Sequence, residues 1–300
     1  MIDLPIADAH QHFWDLARNR YPWLQDEPPV PFRYGDYTAI RRSYLPADYA
    51  RDAADHRIAA TVHVEAEWNP ADPIGETRWL HELFAEDPLP RAIVAQAWLD
   101  REDVERVLEA QAAFPRVRGI RHKPRAAPSP DRVERGAPGS MSDPRWRAGY
   151  RLLRALGLSF DLQCPYWHLY EAAELAEAVP ETQIILDHTG LPSDRSREGL
   201  AEWRAAMRAA AAMPNVAVKI SGLGHPRVPW SAEALRPIVL DTLETFGSGR
   251  AMFASNYPVD RLVAPFDTIF RGFRTLVAGL PETERLALFH DNAMRIYRPA

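Results

Sequence analysis

Apolar residues along this chain fall into short, dense runs separated by longer stretches with helical spacing, and the alternation repeats to the C-terminus. The first run lies in Ile6-Ala7-Asp8-Ala9-His10-Gln11-His12-Phe13-Trp14-Asp15, a short strand buried in a sheet. Further strands are predicted over 58–66, 91–99, 117–122, 158–164, 183–188, 216–221 and 250–255. Helices are predicted over 46–57, 72–86, 103–113, 143–156, 168–178, 199–213, 231–246 and 265–277, with one or two closing helices over 281–297. Pro46 opens the first of these helices, where a missing N–H costs least, and Gly157 ends the fourth.

Eight strands alternating with eight helices are the pattern of an α/β fold, a (β/α)8 TIM-like barrel in a single domain. A doubly wound open sheet is the rival, but no Gly-x-Gly-x-x-Gly string follows the first strand. Two stretches break the rhythm. Residues 16–45 are rich in Pro and aromatics, and 123–142 are rich in Pro. The first is too long for a plain connection, and suits a lid over a site or an interface.

The chain has 300 residues, 46% hydrophobic and 26% charged, with a formal net charge of −5. That charge gives no support to a nucleic-acid role. The single cysteine, Cys164, allows no internal disulfide and fits a reducing compartment. There is no basic and apolar leader and no run of about 18 apolar residues, so a cytoplasmic protein with no membrane association is expected. Arginine dominates the cations, leaving Lys123 and Lys219 as the only lysines.

In such a barrel the chemistry sits at the C-terminal ends of the strands. The polar residues there are His10 and His12, then His63, Glu65 and Glu67, and then Arg121, His122 and Lys123. Asp161, Gln163 and Tyr166 follow, with Asp187, His188, Lys219, Ser221, Ser255, Asn256 and Asp260. Strand alternation sets Asp8, His10 and His12 on one face. His10, His12 and His188 are candidate ligands for one Zn²⁺, which would make hydroxide available near neutral pH. Arg121, Lys123 and Lys219 make the mouth cationic, which suits a carboxylate or a developing oxyanion. Salt bridges from these cations to Glu65 and Glu67 are the plainer alternative. The tip of the eighth strand carries Asn256, which is not a base, so Asp260 is the fallback proton acceptor. Trp14, Glu65, His122 and Tyr166 complete the candidate substrate contacts.

These residues resemble the amidohydrolase superfamily, in its branch of sugar-lactone and related lactone hydrolases. Asp8-Ala9-His10-Gln11-His12-Phe13-Trp14-Asp15 with Tyr21-Pro22-Trp23-Leu24 carries most of the likeness. Gly119-Ile120-Arg121-His122, Leu186-Asp187-His188-Thr189-Gly190-Leu191-Pro192, Val218-Lys219-Ile220-Ser221-Gly222-Leu223 and Asn292-Ala293 follow in the family's order. The resemblance implies a distorted (β/α)8 barrel that hydrolyses a lactone ester. It implies His10, His12 and His188 at the metal or carbonyl-polarising site, and Arg121 on the substrate. The family's general base is the Asp of a strand-eight Gly-Ser-Asp-Trp-Pro motif, and the matching segment is Ala254-Ser255-Asn256-Tyr257-Pro258. Both one Zn²⁺ and a metal-free site are therefore kept open, while a two-metal site is not expected. A small-molecule substrate is expected, with the oligomeric state open and a homodimer among the options. Two rivals remain: a non-oxidative decarboxylase on the same barrel, and an impaired barrel that binds a sugar acid.

Overall fold

The computed structural model describes residues 4–83, 89–225 and 228–299. Its strands are β1 (Ile6–Gln11), β2 (Ile58–Val64), β3 (Ala92–Gln96), β4 (Val117–Arg121), β5 (Ser159–Leu162), β6 (Ile184–Leu186), β7 (Val216–Ile220) and β8 (Ala251–Phe253). They form one parallel sheet in strict chain order. The sheet closes just beyond β8, where Asn256 N–H donates to His10 O at 2.8 Å and His12 N–H donates to Tyr257 O at 2.7 Å. This is a distorted (β/α)8 barrel, as the strand rhythm predicts.

The helices on the outside are α1 (Pro22–Gln25), α2 (Pro46–Asp52), α3 (Gly75–Leu83), α4 (Val104–Ala112), α5 (Pro144–Leu152), α6 (Leu169–Ala178), α7 (Arg197–Ala211), α8 (Ala232–Phe246) and α9 (Phe266–Leu276). The end of the second predicted helix, at 84–86, lies outside the described residues. Caps follow local chemistry: Ser196 and Ser231 accept from Gly199 N–H and Ala234 N–H, and so open α7 and α8. The chain finishes with α10 (Glu282–Leu286) and α11 (Asn292–Tyr297). Asn292 ties this last helix to the barrel by donating to Ser248 O and Ala251 O.

Two cores result. The larger lies between strands and helices; the smaller fills the barrel with Ala7, Ala9, Val62, Val94, Met252 and, from α11, Tyr297 among others. Small residues on β1 leave room inside for the α11 side chains. On β1 the pairing slips: Asp8 faces Thr61 and Gln11 faces His63, so three steps on β1 match two on β2. That extra residue is a bulge, and it resets which side chains point inward. Ala7, Ala9 and then the His10 and His12 rings turn inward, while Asp8 turns outward to the Tyr49 hydroxyl of α2 at 2.8 Å. The expectation of one shared face for Asp8, His10 and His12 is corrected here. Strict alternation fails across a bulge.

β6 and β8 are also shorter than their apolar runs predict. Asp187, His188, Ser255 and Asn256 lie beyond the last paired residue, with His188 and Asn256 at φ of 55° and 54°. Left-handed backbone at non-glycine residues is costly and collects at functional sites. Here it swings both side chains over the barrel mouth.

Candidate active site

The mouth holds a cavity of about 300 Å³. His12, Arg121, Lys123, His188 and Asn256 line it, together with Trp14, all of them expected from the sequence. The 16–45 stretch covers it. Backbone pairing of Trp14 with Tyr44 pins both ends of that stretch, and Tyr37 and Trp23 Nε1 hydrogen-bond to Trp23 O and Ala66 O. Trp23 and Phe32 stack with ring centres 5.8 Å apart, and Trp23, Phe32 and Arg33 reach the cavity wall. Arg33 was not foreseen. Its only sequence signal is its place between Phe32 and Tyr34 in the lid, where its guanidinium now lies 4.6 Å from the centre of the Tyr34 ring.

Each site histidine has its Nδ1 engaged. His12 Nδ1 donates to Val64 O at 2.7 Å, which fixes the proton there and leaves Nε2 with a lone pair. His10 Nδ1 meets Asp187 Oδ1 at 3.2 Å, and His188 Nδ1 meets the Ser221 hydroxyl at 2.9 Å. Burial is the main reason that all three sit well below the usual imidazole pKa. Lys219, Arg121 and Arg33 add repulsion at His10, His12 and His188 respectively. These rings are neutral at pH 7.

Arg121 is clamped. Its Nε donates to Glu65 Oε1 at 2.6 Å, Nη2 to Glu65 O, and Nη1 to Gln163 Oε1 at 3.3 Å. Glu65, expected to touch substrate, therefore orients Arg121, and Lys123 pairs with Glu67. The salt-bridge alternative thus holds for both cations, although both still line the cavity.

Three expected contacts are corrected. Lys219 is fully buried, pairing with Asp161 and with Asp187 at 3.2 Å beneath His10, so it supports the site from below. Tyr166 donates to Glu202 at 3.1 Å and lies away from the cavity wall. Asp260 sits behind Asn256, accepting from Asn256 Nδ2 at 2.6 Å and from the Tyr34 hydroxyl at 2.9 Å. Burial pushes its carboxyl up to about 6. His122 lies to the side: its Nδ1 accepts from Leu99 N–H at 3.1 Å and from Trp146 Nε1–H at 3.0 Å.

The floor contains a residue that no sequence pattern marked. Tyr297 of α11 donates its hydroxyl to Asp161 Oδ2 at 2.8 Å, and the Lys219 ammonium lies 5.2 Å from its ring centre. Tyr297, Asp161, Lys219, Asp187 and His10 form one buried polar chain.

Of the two options left open, one Zn²⁺ fits these residues poorly. The His10 ring centre lies 4.9 Å from that of His12 and 4.7 Å from that of His188, yet among the described residues no three His, Cys, Asp or Glu side chains have the arrangement of a metal site. His10 Nε2 is buried and lacks a partner, but Asn256 offers a neutral amide where a carboxylate would balance the added charge. Arg33, Arg121 and Lys219 already supply positive charge around the rings.

Comparison with known proteins agrees with the barrel. The amidohydrolase family model matches residues 7–298. Protein y4mH of Sinorhizobium fredii is 41% identical over 99% of this chain and 100% of its own. L-fucono-1,5-lactonase of Burkholderia multivorans is 30% identical, covering 97% of this chain and 95% of the lactonase. The crystal structure of a Burkholderia multivorans amidohydrolase with bound zinc superposes with a TM-score of 0.80 at 26% identity, over 98% of this chain and 99% of that one. A match over nearly the whole length means that this chain belongs to the amidohydrolase family.

Proposed function

We propose that the protein hydrolyses a sugar lactone, adding water across the ring ester to give a hydroxy acid. The observation that carries this reading is His12: a neutral imidazole with its proton held on Val64 O, lining a cavity that also holds two guanidinium groups. His12 Nε2 takes a proton from water as the oxygen attacks the lactone carbonyl carbon. The ring C–O bond then breaks, and the leaving ring oxygen receives the proton back from His12. Arg33 and Arg121 hold the oxyanion that forms on the carbonyl oxygen. Asn256 Nδ2 is committed to Asp260, so its carbonyl oxygen remains to orient the attacking water or a substrate hydroxyl. No step passes through a metal, because the donor set is not assembled for one. The sugar-lactone substrate draws support from the L-fucono-1,5-lactonase relatives.

The test is a panel of sugar lactones and carboxylated lactones, followed by proton release against the uncatalysed rate. Hydrolysis of at least one sugar lactone is expected, with His12→Ala losing activity by about 10²-fold or more. Release of CO₂ from an aromatic acid, with the lactones untouched, would select a decarboxylase instead. Tight binding of a sugar acid without turnover would select an impaired barrel.

A further inference from the structure

Beside the active-site cavity lies a second one of about 460 Å³, and the two share Trp23, Val30, Glu67, Arg121 and Lys123 as a common wall. The mouth therefore has two lobes, divided at the Lys123–Glu67 ion pair. We propose that the second lobe is a subsite for a further, hydroxylated ring, so that the preferred substrate is a glycosyl aldonolactone rather than a monosaccharide lactone. This rests on the lactone-hydrolase reading of the first lobe.

Room is the first argument. The active-site lobe is at the small end of ligand cavities and suits one ring, whereas its neighbour is larger and shares a wall with it. Chemistry is the second. Trp23, Trp68 and Trp98 line the second lobe, and aromatic side chains are a common lining where the C–H face of a sugar ring packs. Two polar groups stand among them. His122 uses Nδ1 to accept from Leu99 N–H and Trp146 Nε1–H, so its proton is on Nε2 and is free to donate. Gln96 lines the lobe too, with its Nε2 donating to Trp68 O at 3.4 Å and its Oε1 enclosed by the protein. The His122 donor among aromatic side chains suits a hydroxyl group on a ring, and an unsubstituted apolar ring would leave it unused.

Charge is the third. The ionised groups on this wall are matched with one another: Arg121 with Glu65, Lys123 with Glu67, and Asp26 with Arg20. The lobe thus favours an uncharged guest over a second carboxylate.

The experiment compares kcat/KM for a β-linked glucosyl gluconolactone and for the monosaccharide gluconolactone, in wild type, Trp98→Ala and Trp98→Phe. Trp98 lines the second lobe and not the first. The two-ring lactone is expected to be favoured in wild type, and Trp98→Ala to lose about three- to tenfold on it alone. Trp98→Phe should restore most of that loss. In parallel, tryptophan fluorescence is titrated with the ring-opened two-ring acid. A saturable change, lost in Trp98→Ala, supports the subsite even if no lactone is turned over, which separates failure of the subsite from failure of the lactonase reading. Equal kcat/KM for the two lactones in wild type, or an equal loss on both in Trp98→Ala, overturns the proposal. So does a titration without saturation.

Discussion

Asn256 donates its Nδ2 hydrogen to Asp260 Oδ1 at 2.6 Å, so the residue at the strand-eight tip faces the cavity while the nearby carboxylate stays behind it. Replacing Asn256 with Asp places two buried carboxyl groups in contact, and they cannot both ionise. Asn256→Asp is expected to lose roughly 1–3 kcal/mol of stability at pH 7. A carboxyl pushed upward in the folded state costs stability only above its unfolded pKa, so the deficit should shrink as pH falls. Denaturant melts of wild type and variant at pH 7 and pH 5 check this, and a constant deficit would contradict it.

Gly222 has φ of +61°, and a Cβ built there would lie 2.4 Å from His188 Nδ1. Gly222→Ala should therefore displace the His188 ring and strain the backbone, at about 1–3 kcal/mol. The expected result is a folded protein with a lower Tm and a loss of kcat larger than its change in KM. Steady-state kinetics beside a thermal melt would test this, and unchanged kcat would refute it.

The buried ammonium of Lys219 holds together two carboxylates, Asp161 and Asp187. Lys219→Met leaves both buried without it, and breaking such a pair costs roughly 3–5 kcal/mol. The double variant Lys219→Met with Asp161→Asn should recover part of that loss. Urea melts of the single and double variants measure the recovery.

Burial brings the His122 imidazole down to about 4. In the unfolded chain it titrates near 6.5, so between about 6.5 and 4 the unfolded state binds more protons. Its contribution is complete above about 6.5 and is lost as the pH falls toward 4. His122→Asn should flatten the decline in stability across that window, by up to about 3 kcal/mol. Melts at pH 7.5, 6 and 4.5 read the slope directly.

Because Asn256 puts a neutral amide at the cavity where a carboxylate would balance a cation, purified protein is expected to carry substoichiometric metal. Elemental analysis checks this, together with activity before and after chelator treatment. One equivalent of zinc whose removal abolishes turnover would reverse that expectation.

The strand count, the barrel and the cluster of His10, His12, Arg121 and His188 were legible because each sits at the end of an apolar run. Asp8 was misplaced because a bulge leaves no trace in a pattern of alternating residues. Lys219 and Asp260 have the right residue types for a site. What puts them beneath or behind it is packing against Asp161, Asp187 and Asn256, which no local pattern contains. Arg33 and Tyr297 reach the site from a loop and from the final helix, and their place depends on long-range closure.

That closure has a kinetic meaning. Asp161 and Tyr297 are 136 residues apart, His10 and Lys219 are 209 apart, and Asp8 and Ser255 are 247 apart. Contacts of such span return free energy only after a large loop entropy has been lost, and they slow folding accordingly. The site has no local nucleus of its own. Its polar chain from Tyr297 to His10 comes together only when the two ends of the chain have met, so activity regained during refolding requires a closed barrel.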